Sequence, residues 1–394
     1  MKDLNVTHYD DLETRSADER AADHLRALNG QLKRNAMAPV ASLADLARLP
    51  VLRKADLSAR QKARPPFGGL PVTNFAHIFQ SPGPIYEPGG VGDDWWRMGR
   101  FLHACGIGKS DIVQNCFGYH LTPAGMIFEN GARAVGAAVL PAGTGQTDLQ
   151  VRAAADIGTT AYAGTPDYLK IILDRADEMG ERLKIARAAV GGGALFPSLR
   201  REYADRGIAC LQCYATADLG NIAYESPAME GMIVDEGVIV EIVRPGTGDP
   251  VPEGEVGEVV VTTLNPDYPL IRFATGDLSA VMAGQSPCGR TNMRIKGWMG
   301  RADQTTKIKG MFVRPEQVAD FVARHEEVAR ARIVATRDGE MDAMTVMVET
   351  ESGDPAQYEK SVMDILKLRG RIQLVPKGSL PNDGKVIEDQ RQYE

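Results

Sequence analysis

Four stretches of the chain combine glycine with charged or polar side chains that could serve an active site. They are QCYATADLG at 212–220, DYPLIRFATGDLSAV at 267–281, GWMGRADQTTKIKGMFVRPEQV at 297–318 and GSLPNDGKVIEDQRQYE at 378–394. Each has an ordinary explanation when it is taken alone: an Asp after Thr-Gly commonly caps its own turn, for example. Lys385, however, follows a glycine in a Pro/Asn/Asp/Gly loop near the chain end. Such a loop could bring a positive charge to a distant site.

Length and composition indicate a globular protein of several domains. At roughly 100 to 200 residues per domain, 394 residues predict two or three domains. The net charge of -7 gives no general attraction for nucleic acid. The N-terminus lacks the apolar core of a signal peptide, and no apolar run approaches the ~20 residues of a membrane span. We therefore expect a cytoplasmic protein that binds neither nucleic acid nor membrane.

The five cysteines do not form the framework of a disulfide-rich protein. Cys210 and Cys213 form a C-x-x-C pair, which is compatible with metal or redox chemistry. A zinc site needs about four ligands, and the only further zinc ligand that a motif suggests is Cys288, in SPCGRT. The sequence therefore favours two small residues in a buried strand.

Strand and helix patterns alternate from about residue 110 to 216. The segment PDYLKIILDRADEMG, for example, has Pro166 in its first turn and ends at Gly180, as helices often do. Alternation of this kind predicts a mainly parallel sheet covered by helices on both faces. Upstream, residues 10–30 and 42–48 are predicted as helices, and Trp95 and Trp96 are placed on another helix, one of them in the core.

The pattern changes in the second half of the chain. Two β-runs between about 237 and 264 flank a Gly/Pro/Glu turn region and predict an antiparallel hairpin. From about 303 the order is β-β-α-β-β-α-β, with helices near 315–325 and 355–367. We predict an α/β protein. Its large N-terminal domain, 1–302, has mainly parallel sheets flanked by helices plus a β-rich subdomain, and a small α+β domain follows at 303–394.

The order and spacing of the four stretches resemble the adenylate-forming superfamily of acyl-CoA synthetases, and within it the phenylacetate–CoA ligase branch. YPLIRFATGDL is similar to the family's Tyr-Pro-x-Ile-Arg-Tyr-x-Thr-Gly-Asp motif, and GRADQTTKIKG to Gly-Arg-x-Asp-Asp-x-x-x-x-x-Gly. LPNDGK is similar to the terminal Pro-x-x-x-Gly-Lys. LARLPVLRKADL, FGGL and DIVQNCFGYHLTPAGM match the N-terminal region, so the resemblance covers nearly the whole chain.

The resemblance implies a two-step ligase and assigns nucleotide-binding residues. A carboxylate attacks the α-phosphate of ATP to give an acyl-adenylate, and the coenzyme A thiolate then displaces AMP. Asp277 would accept hydrogen bonds from the ribose hydroxyls, and Arg301 would contact the same ribose. Tyr214 would lie against the adenine, whose other face would meet the backbone of Gly192, Gly193 and Ala194.

The same resemblance implies a small domain that rotates between the two half-reactions. Asp303 would be its hinge, because a hinge concentrates the backbone change in one or two residues. Lys385 would enter the site for adenylation only and would bridge the carboxylate and the α-phosphate. The flexible loop around Lys385 is thus expected to deliver a catalytic cation.

The segment IFQSPGPIYEPGG at 78–90 departs from the family's phosphate loop. Ser81 and Gly83 remain as candidate phosphate contacts, but the usual threonine pair and lysine are absent. Pro82 and Pro84 remove two amide donors, and Glu87 adds negative charge. Weaker pyrophosphate binding is the expected consequence.

The metal sites also depart from the family. Ala217-Asp218 stands where the family has Ser or Thr before a magnesium-binding Glu, so Asp218 is expected to bind Mg²⁺ from a shorter arm. Some members of this branch build a metal site from Cys and His. Only Cys288 persists here, and no structural zinc is expected.

Three residues just before the helix predicted at TPAGMIFENGARAVG, 122–136, are candidates for the acyl site. His120 occupies a region where many acyl-CoA synthetases place a His near the acyl carboxylate; the alternative is a solvated His at a helix start. Phe117 and Tyr119 could line the acyl pocket, and core packing is the alternative.

The resulting hypothesis is an acyl- or aryl-CoA ligase that acts on a small aromatic or other carboxylic acid with ATP, Mg²⁺ and coenzyme A. A homodimer is one state that the sequence allows. Two alternatives stay open. The first is transfer of the acyl group from the adenylate to an acceptor other than coenzyme A. The second is a non-catalytic protein that binds a nucleotide or an acyl group, which the altered phosphate loop favours.

Overall fold

The computed structural model describes residues 7–81, 84–302, 304–309, 311–338 and 341–391. The α-helices in this part of the chain are α1 Ala17–Arg34, α2 Lys54–Ala63, α3 Gly99–Ala104, α4 Ala124–Ala134, α5 Thr147–Ile157, α6 Pro166–Met179, α7 Pro197–Asp205, α8 Pro315–Ala323 and α9 Pro355–Leu366. Two short 3-10 helices cover Asp11–Thr14 and Leu43–Arg48. None of the described helices is long and apolar enough to cross a lipid bilayer.

The strands are short and numerous. They are β1 Leu52–Arg53, β2 Phe75–Ser81, β3 Ile85–Gly90, β4 Ile112–Asn115, β5 Ala138–Leu140, β6 Ala161–Gly164, β7 Arg187–Val190, β8 Ala209–Thr216, β9 Gly220–Glu225, β10 Met232–Val234, β11 Val238–Val243, β12 Gly257–Thr263, β13 Phe273–Ser279, β14 Val281–Met282, β15 Arg294–Ile295, β16 Thr306–Ile308, β17 Met311–Val313, β18 Arg330–Asp338, β19 Met341–Glu349, β20 Arg371–Val375 and β21 Ile387–Asp389.

The chain divides into two compact units. Unit 1 comprises residues 1–240, 261–273 and 282–297, and unit 2 comprises 241–260, 274–281 and 298–394. Each unit is therefore assembled from more than one stretch of the chain. The domain boundary at 302/303 stays a prediction.

Unit 1 is organised around a long mixed sheet. Strands β5, β4, β6, β7 and β8 lie side by side in that order and are parallel. Strands β9, β10 and β15 then continue the sheet with antiparallel pairing. The predicted alternation of strands and helices is confirmed, because a parallel pair requires a crossover connection, and helices α4 to α7 provide these connections.

Both faces of this sheet are buried. One face packs with Phe101 of α3 and Phe128 of α4, and the other packs with Leu169 of α6 and Tyr203 of α7. Cys213 belongs to the first of these clusters and Cys210 to the second. Residues three apart in a strand point to opposite faces, so the two thiols cannot share one ligand. The C-x-x-C pair is a feature of a buried strand, as the sequence favoured.

The start of the chain differs in detail from the prediction. The helix expected at 10–30 is a 3-10 turn followed by α1, because Asp10 caps the first and a capping box of Ser16 with Glu19 begins the second. The helix placed around Trp95 and Trp96 is wrong. Both tryptophans lie in a turn between Asp94 and Arg97, where positive φ angles of 54° and 60° prevent a helix. Trp96 is buried in the core as expected.

Residues 78–90 belong to an antiparallel hairpin of β2 and β3. Its register pairs Phe79 with Glu87 and Ser81 with Ile85. Pro82 and Gly83 lie outside the described residues. The described part of the segment that the sequence identified as an altered phosphate loop therefore forms the paired strands of a hairpin.

Unit 2 contains the predicted β-β-α-β-β-α-β region. Strands β20, β19, β18 and β21 form one sheet in that order, and β16 pairs with β17. Helices α8 and α9 contribute Phe321, Tyr358 and Val362 to the apolar core of this region. Strand β21, parallel to β18, was not expected, since it has only three residues. In the other stretches of the unit, β11 and β12 are neighbours, as the predicted hairpin requires, and β12 also neighbours β13.

Candidate active site

The predicted adenine-binding residues of unit 1 lie near the carboxyl ends of two adjacent parallel strands, β7 and β8. Gly192, Gly193 and Ala194 begin two residues after the end of β7 and are exposed, and Gly192 has a φ of +68°. The carbonyl of Gly193 accepts a hydrogen bond of 3.0 Å from the side-chain amide of Gln212 on β8. Tyr214 lies two residues further along β8 and is 8% exposed. The carboxyl ends of parallel strands are where α/β sheets bind ligands.

The predicted pocket residues Phe117 and Tyr119 have different environments. Phe117 stacks on Phe128 with ring centroids 4.3 Å apart, and its edge reaches within 3.6 Å of where a Cβ on Gly192 would be. Phe117 is thus part of the core and also underlies the glycine loop. Tyr119 accepts a hydrogen bond of 2.8 Å from Asn115. Burial and the nearby Glu129 raise the pKa of Tyr119 above its usual value, so the hydroxyl stays protonated.

His120 is exposed and lies in the loop before α4. Its carbonyl accepts a hydrogen bond of 2.7 Å from the amide of Thr122. The next residue, Leu121, has a φ of 59° and accepts a hydrogen bond of 2.8 Å from the amide of Gln80 on β2. The His120 loop is therefore tied to the hairpin that contains Ser81. The catalytic assignment of His120 stays a prediction.

Ser81 is engaged with Glu87 rather than open to a ligand. The hydroxyl of Ser81 donates to Oε1 of Glu87, and the two side chains are buried. Glu87 is completely buried, with an exposed fraction of 0%. Burial, followed by the negative charge of Asp218, raises the pKa of Glu87 to about 8. The hairpin thus places a carboxyl group where the family resemblance implies a cradle for phosphate.

Asp218 faces an unexpected partner. Its side chain is buried, and its Oδ2 lies 2.8 Å from Nζ of Lys54, whose side chain is 36% exposed. Lys54 is the first residue of α2, far from Asp218 in the chain. Tyr268 is the fourth residue of the group and is 3% exposed. Burial is the main cause of its raised pKa, and the negative charges of Asp218 and Glu87 raise it further. We call Lys54, Glu87, Asp218 and Tyr268 the carboxylate cluster.

The carboxylate cluster has the donor set for a hard divalent ion. Within the described residues, Oδ1 of Asp218, Oε2 of Glu87 and the hydroxyl of Tyr268 are buried without a hydrogen-bond partner. Such atoms cost free energy unless a ligand or water satisfies them. No group of three or more His, Cys, Asp or Glu converges in that same part of the chain. Mg²⁺ is commonly held by only one or two carboxylates with substrate phosphates, so the residues fit Mg²⁺.

The predicted ribose-binding pair lies in unit 2. Asp277 is in the middle of β13, and NH1 of Arg301 donates to its Oδ1 at 2.8 Å. Gly276, just before Asp277, has a φ of +73°, which favours glycine, and a Cβ there would be 2.7 Å from NH2 of Arg301. The indole N–H of Trp298 also donates to Oδ1 of Asp277, at 3.1 Å, and Trp298 is 54% exposed. Two donors therefore fix the orientation of this carboxylate beside an open aromatic surface.

The Lys385 loop is anchored on both sides of an exposed lysine. Lys385 is exposed, and its amide donates to Oδ1 of Asp383. The carbonyl of Gly384 accepts a hydrogen bond of 3.1 Å from Gln304, and the side chain of Asn382 accepts one of 3.0 Å from the amide of Val256. The backbone of the loop is thus held within unit 2. Asp303, the predicted hinge, lies outside the described residues, as does Gly83.

Three residues of these sites were not found from the sequence: Lys54, Tyr268 and Trp298. Lys54 and Tyr268 belong to matched motifs, LPVLRKADL and DYPLIRF, but nothing local shows that they meet Asp218. Trp298 is three residues before Arg301, and an exposed aromatic next to a charged motif could have indicated it.

Comparison with known proteins places the chain among acyl-CoA ligases. No protein-family model matches it. A phenylacetate–coenzyme A ligase from Thermus thermophilus is 30% identical over 78% of this chain and 72% of the relative. A phenylacetate–coenzyme A ligase from Escherichia coli is 29% identical over 97% of each chain.

Solved structures share the fold. A 2-hydroxyisobutyryl-CoA ligase in an open conformation, in complex with 2-HIB-AMP and CoA, has a TM-score of 0.69 and 24% identity, with 94% of this chain and 91% of that chain covered. The same ligase in its thioesterification state has a TM-score of 0.68 and 24% identity over 97% and 92%. The α/β fold class is thereby confirmed. On the sequence relationship, the chain belongs to the phenylacetate–coenzyme A ligase family of adenylate-forming enzymes.

Proposed function

We propose that this protein is an ATP-dependent acyl- or aryl-CoA ligase, with phenylacetate as the first acid to test. The observation that carries the proposal is the Asp277–Arg301 contact of 2.8 Å in a member of this family. A carboxylate that is oriented by an arginine and an indole is a suitable acceptor for two adjacent hydroxyls, as a ribose presents them. Exposed glycine backbone at 192–193 allows a flat base to approach.

In the first step, a carboxylate oxygen of the acid forms a bond to the α-phosphorus of ATP, and the bond to pyrophosphate breaks. Lys385 would contact the acid and the α-phosphate, since charge develops there in the transition state. The exposed side chain of Lys385, on a loop whose backbone is anchored, is compatible with such a contact. Asp218 would hold Mg²⁺, which neutralises phosphate charge.

In the second step, the thiolate of coenzyme A attacks the acyl carbon and AMP leaves. Here Asp277 and Arg301 would keep AMP oriented, and Lys385 would be withdrawn. Asp303 is proposed as the hinge, with the small domain at 303–394 as the moving part. Phe117 and Tyr119 are proposed to border the acid; the cytoplasmic location and a homodimer stay predictions from the sequence.

The test is a panel of carboxylic acids assayed for pyrophosphate release and for thioester formation. We expect acid-dependent pyrophosphate release and, with coenzyme A, an equal amount of thioester. Pyrophosphate without thioester would instead indicate another acyl acceptor. AMP binding without pyrophosphate release from any acid would contradict the ligase proposal and favour a nucleotide-binding protein. Asp277→Ala is the variant that should lose activity, and Glu178→Gln on the surface of α6 is its matched acidic control.

A further inference from the structure

The carboxylate cluster contains more acid than the assigned Mg²⁺ contact uses. Asp218 alone takes the place of the family's metal-binding residue, yet Glu87 is also buried, and after burial the charge of Asp218 is the main cause of its raised pKa. Helix α2 contacts both segments, because Lys54 reaches Asp218 and Gln61 bonds the backbone of Tyr86, the residue before Glu87. Two buried carboxylates repel one another, and burying them is costly unless a cation compensates their charge. Lys54 supplies one positive charge, 2.8 Å from Asp218. The cluster therefore remains short of one positive charge when both carboxylates are ionised.

A second observation points to a ligand at the same place. The hydroxyl of Tyr268 is buried and has no hydrogen-bond partner among the described residues, although Tyr268 is only 3% exposed. After burial, the charges of Asp218 and Glu87 raise the pKa of Tyr268 as well. Buried tyrosine hydroxyls usually find a partner. Three buried oxygens thus lack a hydrogen-bond partner: the hydroxyl of Tyr268, Oδ1 of Asp218 and Oε2 of Glu87. A cation that is coordinated by oxygen would satisfy them.

We propose that Glu87 and Asp218 together bind one divalent cation, Mg²⁺ or Mn²⁺, with the hydroxyl of Tyr268 as a neighbouring oxygen contact. An all-oxygen donor set selects these hard cations over zinc. Glu87, on the hairpin that lacks the usual phosphate-loop lysine, then contributes by holding a cation rather than by contacting phosphate. The inference that an ion binds here depends only on the carboxylate cluster. The inference that this ion takes part in pyrophosphate release rests on the proposed function.

Lys54 is a competitor for the same carboxylate in this arrangement. Its ammonium lies against Oδ2 of Asp218, and its partly exposed side chain can move away when the ion enters. Removal of Lys54 should therefore strengthen cation binding, whereas removal of Glu87 should weaken it. A merely structural ion pair would not produce these opposite signs.

The experiment is a titration of the full-length protein with Mn²⁺ alone, in the absence of nucleotide, acid and coenzyme A. Free Mn²⁺ is followed by electron paramagnetic resonance. We expect one Mn²⁺ per chain in the wild type. Glu87→Gln and Asp218→Asn should each weaken Mn²⁺ binding at least about tenfold. Substitutions of residues that only support a metal ligand already cost about tenfold or more in affinity, so loss of a ligand should cost at least that. Lys54→Met should bind Mn²⁺ more tightly, and the surface variant Glu178→Gln should match the wild type.

The proposal would be overturned if Glu87→Gln bound Mn²⁺ as tightly as the wild type. It would also be overturned if the wild type took up no Mn²⁺ at about 10 mM, a concentration well above the dissociation constants of ~1 mM that weak divalent sites in proteins have. Thermal unfolding checks that each variant is folded. If Glu87→Gln fails to fold, Tyr268→Phe removes only the hydroxyl and should still weaken binding. Ligase activity is measured in parallel: Mn²⁺ uptake without thioester formation would contradict the proposed function alone, and activity without uptake would contradict the cation site alone.

Discussion

Replacing Glu87 by glutamine should change how the stability of the protein depends on pH. Glu87 is completely buried, and burial together with Asp218 raises its pKa from 4.5 to about 8. Between these two values the folded protein keeps the proton and the unfolded chain releases it. The unfolded state then binds fewer protons, so the free energy of unfolding falls as the pH rises through this window.

The magnitude follows from the two pKa values. For a single group with pKa values of about 4.5 unfolded and about 8 folded, the loss between about pH 5.5 and about pH 7.5 is about 2.5 kcal/mol. For a unit of this size, that corresponds to a decrease in Tm of about 5 to 10 °C. Glutamine keeps the size and hydrogen-bonding capacity of the side chain but has no proton to lose, so Glu87→Gln should lack this decrease.

The assay is thermal unfolding at a series of pH values in the presence of a chelator, because a bound cation would stabilise the ionised carboxylate. The informative quantity is the difference in Tm between wild type and Glu87→Gln at each pH. Glu178→Gln, which changes an exposed carboxylate, controls for the general effect of charge removal. Parallel pH profiles for wild type and Glu87→Gln would refute the argument, because Glu87 would then titrate normally in the folded protein.

Three further predictions concern unit 2. Asp277→Ala should weaken AMP and ATP binding, by about 1.5 to 3 kcal/mol for each charged hydrogen bond lost, with Tm nearly unchanged; equal nucleotide affinity by calorimetry would remove the ribose assignment. Lys385→Ala should slow acyl-adenylate formation about 10²- to 10³-fold and spare thioester formation from a supplied adenylate, and equal loss in both half-reactions would contradict a lysine that acts only in adenylation. Trp298→Phe should weaken AMP binding by no more than about tenfold, since one hydrogen bond to Asp277 is lost while the ring is kept; calorimetry checks this, and a change larger than that of Asp277→Ala would be inconsistent with an orienting role.

The sequence alone was sufficient for features with local causes. The strand–helix alternation around α6 could be predicted because Pro166 and Gly180 mark the ends of a helix wherever it lies. The motif around Asp277 could be recognised because its residues are consecutive. The hairpin β2–β3 and the turn at Trp95 were missed, since neither has a strong local signal and both depend on contacts with the rest of unit 1.

Only the tertiary structure decided the chemistry of the carboxylate cluster. From the sequence, Glu87 is an added negative charge in a loop, Asp218 a shortened metal ligand and Lys54 part of a connecting segment. The fold brings Lys54 to Asp218 from a distant part of the chain and buries Glu87 completely. A pKa depends on solvent exclusion and on the charges within a few ångströms. Both are set by which segments pack together, whereas a sequence pattern records only the order of residues along one segment.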